Sequence, residues 1–308
     1  MSGKFRLVTR SDMDGLVCAV IFKQLKMIDE IIFVHPKDMQ DGTIEITSND
    51  IITNLPYYAN AHLVFDHHES EAMRNSEADN YFIDPKAPSA ARIVYEYYGG
   101  AEKLPAISVD MMEAVDKADA AQFTKEDILN PKSWELLSFL MDSRTGLGRF
   151  REFTVSNYKL MMDLIDYCID HSIEDIMKLP DVVERVELFN KYTEDFKNQL
   201  LRCSTIHNNL IVLDLREEKI IYPGNRFMIY ALNPDTNISI HVLWGFKNQN
   251  TVFATGKSIV NRSSKTNIGE LMFKYGGGGH KAAGTCQIDN NKSEDVLKEL
   301  IEAITNDG

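Results

Sequence analysis

The chain has 308 residues, of which 44% are hydrophobic and 26% charged, with a formal net charge of −13. Domains of roughly 100–200 residues make two the natural expectation, and the ordinary globular balance excludes a disordered or fibrous chain. The longest apolar runs, such as Ile51-Ile52 and Leu210 to Leu213, are far too short to span a bilayer.

The charge is uneven. Residues 1–204 hold 22 Lys and Arg against 35 Asp and Glu, whereas residues 205–308 hold 11 against 11. An acidic surface of this kind repels a long polyanion unless metal ions or a local basic strip compensate. Such a strip exists: Lys257, Arg262, Lys265, Lys274 and Lys281 are opposed only by Glu270 in that window. A small phosphate-bearing ligand fits this pattern better than long duplex DNA. Cys18, Cys168, Cys203 and Cys286 are scattered, without Cys-x-x-Cys spacing. They read as thiols of a reducing compartment rather than as a disulfide or zinc framework. The stretch Met1 to Arg6 carries no signal-type apolar segment, so the expected location is the cytoplasm.

In chain order, Phe5 to Thr9 reads as a strand, followed by a polar turn holding Asp12 and Asp14 and then a helix over Leu16 to Leu25. Glu30 to His35 reads as a second strand, ended by Pro36 and a polar loop over Lys37 to Gly42. Asp50 to Asn54 and His62 to Phe65 read as two more strands, while Pro88 to Tyr98 and Pro105 to Asp119 read as helices. Strands alternating with helices imply a mostly parallel sheet with ligands at the carboxyl ends of its strands. Residues 131–203 carry helical patterns, including Val182 to Leu201. From Leu210 the character changes: Leu210 to Leu215, Met228 to Leu232, Ser239 to Trp244 and Thr251 to Thr255 read as strands, and Val296 to Ile304 as a helix. The fold class expected is therefore α/β with two domains, 1–203 and 204–308, the boundary falling near 200–207.

Four groups of residues carry chemistry. Asp12-Met13-Asp14 sets two carboxylates in a turn straight after a strand, a place suited to a hard divalent cation or, more plainly, to capping the following helix. Asp66-His67-His68 follows an apolar strand and combines a carboxylate with two imidazoles. That mixed oxygen and nitrogen set suits Mn²⁺, Fe²⁺ or Zn²⁺ and leaves one histidine for proton transfer. Asp116 and Asp119 share a helix face at i, i+3 spacing. The run Gly276-Gly277-Gly278-Gly279-His280-Lys281 lets a ligand approach the main chain closely. Arg262-Ser263 upstream adds a guanidinium able to clamp phosphate oxygens.

These motifs, Ser11 to Gly15, Phe65 to His68, Asp116 to Asp119, and Gly277 to His280 with Ala282-Ala283-Gly284, resemble the DHH/DHHA1 phosphoesterase superfamily over nearly the whole chain. The resemblance implies an N-terminal metal-binding DHH domain, a smaller C-terminal α/β DHHA1 domain and an active site in the cleft between them. It implies metal ligation by Asp12, Asp14, Asp66, His67 and Asp119 or Asp116. It also implies acid or phosphate-contact work by His68 alongside Asp66, and substrate contacts from Arg262, Ser263, Gly277, Gly278, Gly279 and His280. The cofactor implied is Mn²⁺, or another divalent ion such as Fe²⁺ or Mg²⁺, at one or two per chain. Members include oligoribonucleases, cyclic-dinucleotide phosphodiesterases, RecJ-type exonucleases and exopolyphosphatase-like proteins.

Three positions depart from the family pattern. Val8 stands where many members have a histidine, Arg10 where RecJ-type members have an acid, and Asn54 where many have a bridging aspartate. Asp38 and Asp41 are nearby substitutes. The expected function is hydrolysis of a phosphoester or phosphoanhydride in a small nucleotide, short oligonucleotide or polyphosphate. The alternative is a nucleotide- or phosphate-binding regulatory protein that kept the fold and lost efficient turnover. A small phosphorylated substrate and no membrane are the expected partners, and a homo-oligomer is compatible with the sequence.

Overall fold

The computed structural model describes residues 4–308. Residues 1–3, part of the stretch read above for a signal segment, lie outside the described residues. The chain divides into two compact units, Met1–Gln122 with Pro131–Leu188, and Phe123–Asn130 with Phe189–Gly308. No helix among the described residues is long and apolar enough to cross a membrane.

The first unit is built on five strands: β1 (Phe5–Thr9), β2 (Ile28–Phe33), β3 (Asp50–Thr53), β4 (Leu63–Asp66) and β5 (Tyr81–Ile83). They pair in the order β2-β1-β3-β4-β5, parallel throughout. Short uninterrupted apolar strands demand cover on both faces. Neighbouring residues point to opposite sides, so Leu7, Ile51 and Phe65 enter one core while Val8, Ile52 and Val64 enter another. The first core is closed by the helices Met13–Gln24, Ala90–Tyr97, Val109–Asp119 and Asn157–Asp170. Met13 to Phe22 is buried at every position, which explains why it carries no polar side chain but that of Asp14. The second core is covered by the connecting segments that carry Val34, Met39, Ile46, Leu55 and Ala61.

The second unit holds β6 (Ser204–His207), β7 (Leu210–Asp214), β8 (Ile238–Trp244), β9 (Thr251–Lys257), β10 (Gly278–His280) and β11 (Ala283–Ile288), in the order β10-β11-β9-β8-β7-β6. Only the β7–β8 pair is parallel. The helices Ile268–Phe273 and Ser293–Asp307 pack Ile268, Met272, Leu300 and Ile304 against Leu210, Ile240, Val242 and Phe253.

Two local expectations are corrected. The segment read as a polar loop over Lys37 to Gly42 opens with a short helix, Pro36–Gln40, because Pro36 presets the first helical φ and the His35 ring nitrogen accepts from the Lys37 N–H at 3.1 Å. The apolar run Met228–Leu232 is a helix, not a strand. Five apolar residues cannot distinguish the two by period. The Asn225 side chain accepts from Phe227 N–H and its carbonyl from Met228 N–H, turning the chain into the helix. The Tyr230 hydroxyl then bonds Ser239 Oγ and the Gly256 carbonyl at 2.7 and 2.8 Å.

Candidate active site

The ends of β1 and β3 are tied together by buried threonines, Thr53 Oγ1 donating to Thr9 Oγ1 at 2.7 Å and Thr9 Oγ1 donating to the Thr53 carbonyl. Past β1 the chain enters the helix Met13–Gln24 in a turn that only glycine permits, since a Cβ on Gly15 would sit 1.9 Å from the Arg10 carbonyl oxygen. Asp12 is the helix N-cap, accepting from Gly15 N–H at 3.0 Å. Asp14, in the first turn, is buried and accepts from the N–H groups of Ala90 and Ala91 at 3.0 and 2.7 Å. Those donors open the helix Ala90–Tyr97, whose N-terminus favours an anion.

Asp66 ends β4 and is fully buried. Its Oδ1 lies 2.7 Å from His68 Nδ1, while its Oδ2 has no hydrogen-bond partner. His67 Nδ1 lies 3.3 Å from the Ala87 carbonyl, and its Nε2 lies 2.6 Å from Asp119 Oδ2, an ion pair when the ring is protonated. Donor atoms of Asp14, His67 and Asp119 lie within 4.8 Å of one another.

The electrostatics follow from this crowding. Burial, then the charge of Asp119, raises Asp12 above the usual carboxylate range and raises Asp14 further. Burial alone would lower His67, but the contact with Asp119 and the charges of Asp14 and Asp66 outweigh it and push it up to about 9. A divalent cation suits the residues present. Asp66 Oδ2 and Asn54 Oδ1 are buried polar atoms without hydrogen bonds, and so many carboxylates gathered in one place call for a compensating charge.

Asp116, read with Asp119 as a candidate, is engaged elsewhere. Its oxygens accept from Ser89 Oγ at 2.7 Å and from the Arg92 guanidinium at 2.9 and 2.5 Å. Asp12 and Asp66 flank the three-donor cluster without belonging to it. Asp12 is instead gripped by Arg10 Nε at 3.1 Å and by Asn54 Nδ2 at 3.2 and 3.4 Å. Asn54 reaches it from a left-handed residue (φ 55°) straight after β3, a conformation that asparagine tolerates.

Two cations escaped the sequence reading as contributors. Arg10 was noted only as a departure, although its place two residues before Asp12 gave the signal. Arg144 follows Asp142, to which its Nε bonds at 2.7 Å, and its positive charge is felt by Asp12. The sequence around Arg144 carried no comparable signal.

In the second unit the glycine run forms a turn and strand β10. Gly277 and Gly279 lie so close to β11 that a Cβ would meet the carbonyls of Thr285 and Ala283 at 2.2 Å each, and Gly276 has φ 74°. A Cβ on Gly278 would meet nothing within 4 Å. His280 ends the strand, exposed. Arg262 is exposed, its Nε donating to the Ile259 carbonyl at 3.3 Å, and Ser263 Oγ accepts from Asn237 Nδ2 at 3.0 Å.

A parallel sheet with a partly buried carboxylate–imidazole cluster at its carboxyl edge, followed by a mixed-sheet unit with a glycine strand, defines a metal-dependent phosphoesterase of two units. The DHHA1 domain model matches residues 227–306. The chain is similar to a solved structure described as the pGpG-specific phosphodiesterase PggH from Vibrio cholerae, at 61% identity over 99% of this chain and 100% of that one, with TM-score 0.89. It therefore belongs to the DHH/DHHA1 phosphoesterase superfamily, a class of metal-dependent phosphohydrolases. It is also 22% identical over 306 residues to the A-adding tRNA nucleotidyltransferase of Aquifex aeolicus, covering 95% of this chain and 34% of that protein. The chain thus spans about a third of the length of that curated relative.

Proposed function

We propose that this chain is a divalent-metal-dependent phosphodiesterase that cleaves small linear nucleotides, a guanine dinucleotide of the pGpG type foremost. The observation that carries this reading is the trio of buried Asp14 and half-buried His67 and Asp119, with donors within 4.8 Å. The 61% identity to a protein described as pGpG-specific supports the substrate.

Asp14, His67 and Asp119 would hold the metal, Mn²⁺ first among the divalent ions, with Asp12 and Asp66 beside them. When bound, such an ion supplies electrostatic stabilisation of phosphoryl oxygens and acidifies water. The chain's own groups do the rest. Asp66 fixes the His68 ring through Nδ1, leaving Nε2 of a partly exposed imidazole to move a proton at the leaving oxygen. Arg10 and Arg144 offer guanidinium donors to phosphate oxygens next to Asp12. In the second unit, Arg262, Ser263, His280 and the backbone of Gly277 to Gly279 are the proposed phosphate contacts. In this reading residues 1–203 are the metal-binding domain and 204–308 the substrate-binding domain, and the whole is a cytoplasmic enzyme.

The test is a product assay with the purified chain and Mn²⁺ or Mg²⁺. pGpG, other linear dinucleotides, cyclic dinucleotides, 3′-phosphoadenosine 5′-phosphate and polyphosphate are compared. GMP release from pGpG, abolished by chelator, is the expected result. Turnover of polyphosphate alone, or of nothing, would overturn the proposal.

A further inference from the structure

A cavity of about 540 Å³ opens within the first unit beside Asp12, at the carboxyl ends of β1 and β2. Its size falls within the roughly 300–1,000 Å³ of small-molecule sites, which combine apolar walls with a few placed polar groups. The floor is apolar, with Leu137, Leu160, Leu164 and Val182. The rim is polar, with Arg10, Asp12, Asp38 and Arg144. Phe33 forms a wall and is held edge-on by Tyr158, ring centroids 5.8 Å apart.

An anion alone does not use such a cavity. Phosphates gain nothing from leucine and valine, and the buried cation that also lines the cavity, Arg185, is already bonded to Asn157 Oδ1 and the carbonyls of Asp181 and Val155. A flat heteroaromatic ring does use it, burying its faces against the apolar walls with its edge at the rim. The cavity shares Asp12 and Arg10 with the metal-site surroundings, so its occupant is part of the same substrate as the phosphate. Asp38, exposed on the rim, makes no side-chain hydrogen bond or ion pair among the described residues. A carboxylate there accepts two N–H groups side by side, the pattern that guanine presents through N1–H and the N2 amino group.

We propose that this cavity is the base-binding subsite, that it receives a guanine next to the scissile phosphate, and that Asp38 reads the donor edge of that base. The inference rests on the small-nucleotide reading above, and it excludes polyphosphate as the substrate for which the site is shaped.

Binding of guanosine, which carries no phosphate, tests it with the full chain in chelator. Gly148 lines the cavity, and a Cβ there meets only Asn157 Nδ2, at an ordinary 3.7 Å, so Gly148→Phe introduces a side chain at the cavity wall from an uncrowded position. Met141→Trp, on another wall of the cavity, is the second filled variant should the first fail to fold. Wild type should bind guanosine, and a filled variant should weaken it at least tenfold while a Mn²⁺ titration stays unchanged. Asp38→Asn should remove the preference for guanosine over adenosine. Absence of guanosine binding in wild type, equal binding in filled variants, or joint loss of guanosine and Mn²⁺ binding in both would overturn the cavity assignment. A retained guanosine preference in Asp38→Asn would overturn the role of Asp38. Failure to cleave pGpG sinks the proposed activity but leaves these binding results as they are, so the two ideas fail separately.

Discussion

The acidic cluster of the first unit and the glycine strand of the second both stood out as non-packing sequence at strand ends, yet the fold treats them in opposite ways. Around Asp14 and His67 the side chains are buried or half-buried, and polar atoms such as Asp66 Oδ2 and Asn54 Oδ1 have no partner. Around Gly276 to Gly279 the residues are half to fully exposed, and two of the four glycines are accounted for by the approach of β11. Unmet polarity in a buried place has no structural explanation and points to chemistry. A glycine run has a structural explanation first, and only Gly278, with open space beside it, is left over.

The largest effect that would break this contrast lies at His67. His67→Ala should remove bound metal and lower turnover beyond the ~10–100-fold typical of outer-shell changes, read by metal analysis alongside the pGpG assay. Full metal content in that variant would dissolve the trio. His68→Ala should keep its metal and lose about 10²–10⁴-fold in kcat, the range of general acid–base work. Equal metal loss in the two variants would erase the division between ligand and proton carrier.

The second unit gives a sharper structural comparison. Gly279→Ala forces a methyl onto the Ala283 carbonyl and should destabilise the protein by about 1–3 kcal/mol, whereas Gly278→Ala should stay within about 0.5 kcal/mol. Chemical denaturation measures both, and equal values would mean that β10 and β11 are less closely packed than their backbones imply.

Smaller shifts come from pH. His67 rises from 6.5 to about 9 in the folded chain. In chelator it therefore contributes stability that is full below about pH 6.5 and lost as pH climbs through 9. Asp12 and Asp14, also raised, push the same way at lower pH. Metal binding needs these groups deprotonated, so the gain in Tm on adding Mn²⁺ should grow between pH 6.5 and 9. A gain that is flat or shrinking with pH would remove His67 from the donor set.

Asn54→Asp tests the margin of the cluster. It replaces the amide that donates to Asp12 by a second carboxylate, so metal-free protein should lose about 1–3 kcal/mol while Mn²⁺ binds more tightly. Unaltered affinity across a titration would mean that position 54 takes no part in holding the ion.

Much of this was legible in the sequence. Apolar runs ending in Asp12 and Asp66 gave strand ends and hence the carboxyl edge of a parallel sheet, because strand period and turn chemistry are local properties. Short segments were misread where local rules tie. Pro36–Gln40 and Met228–Leu232 are short turns whose helical state is decided by a preceding side chain that accepts from the backbone, His35 as the cap of the first and Asn225 in the turn before the second.

What the sequence by itself determined was the alternation of elements, the residue types able to hold a metal, and the uneven charge. Only the tertiary structure decided which carboxylates meet. Asp119 and Asp116 are equivalent on paper, three residues apart on one helix, yet Arg92 and Ser89 take Asp116 while Asp119 reaches His67. The apolar cavity beside Asp12 was likewise invisible, because its walls come from strand ends and helices more than a hundred residues apart. Partnership and enclosed space depend on how distant segments are brought together, and no local pattern encodes either.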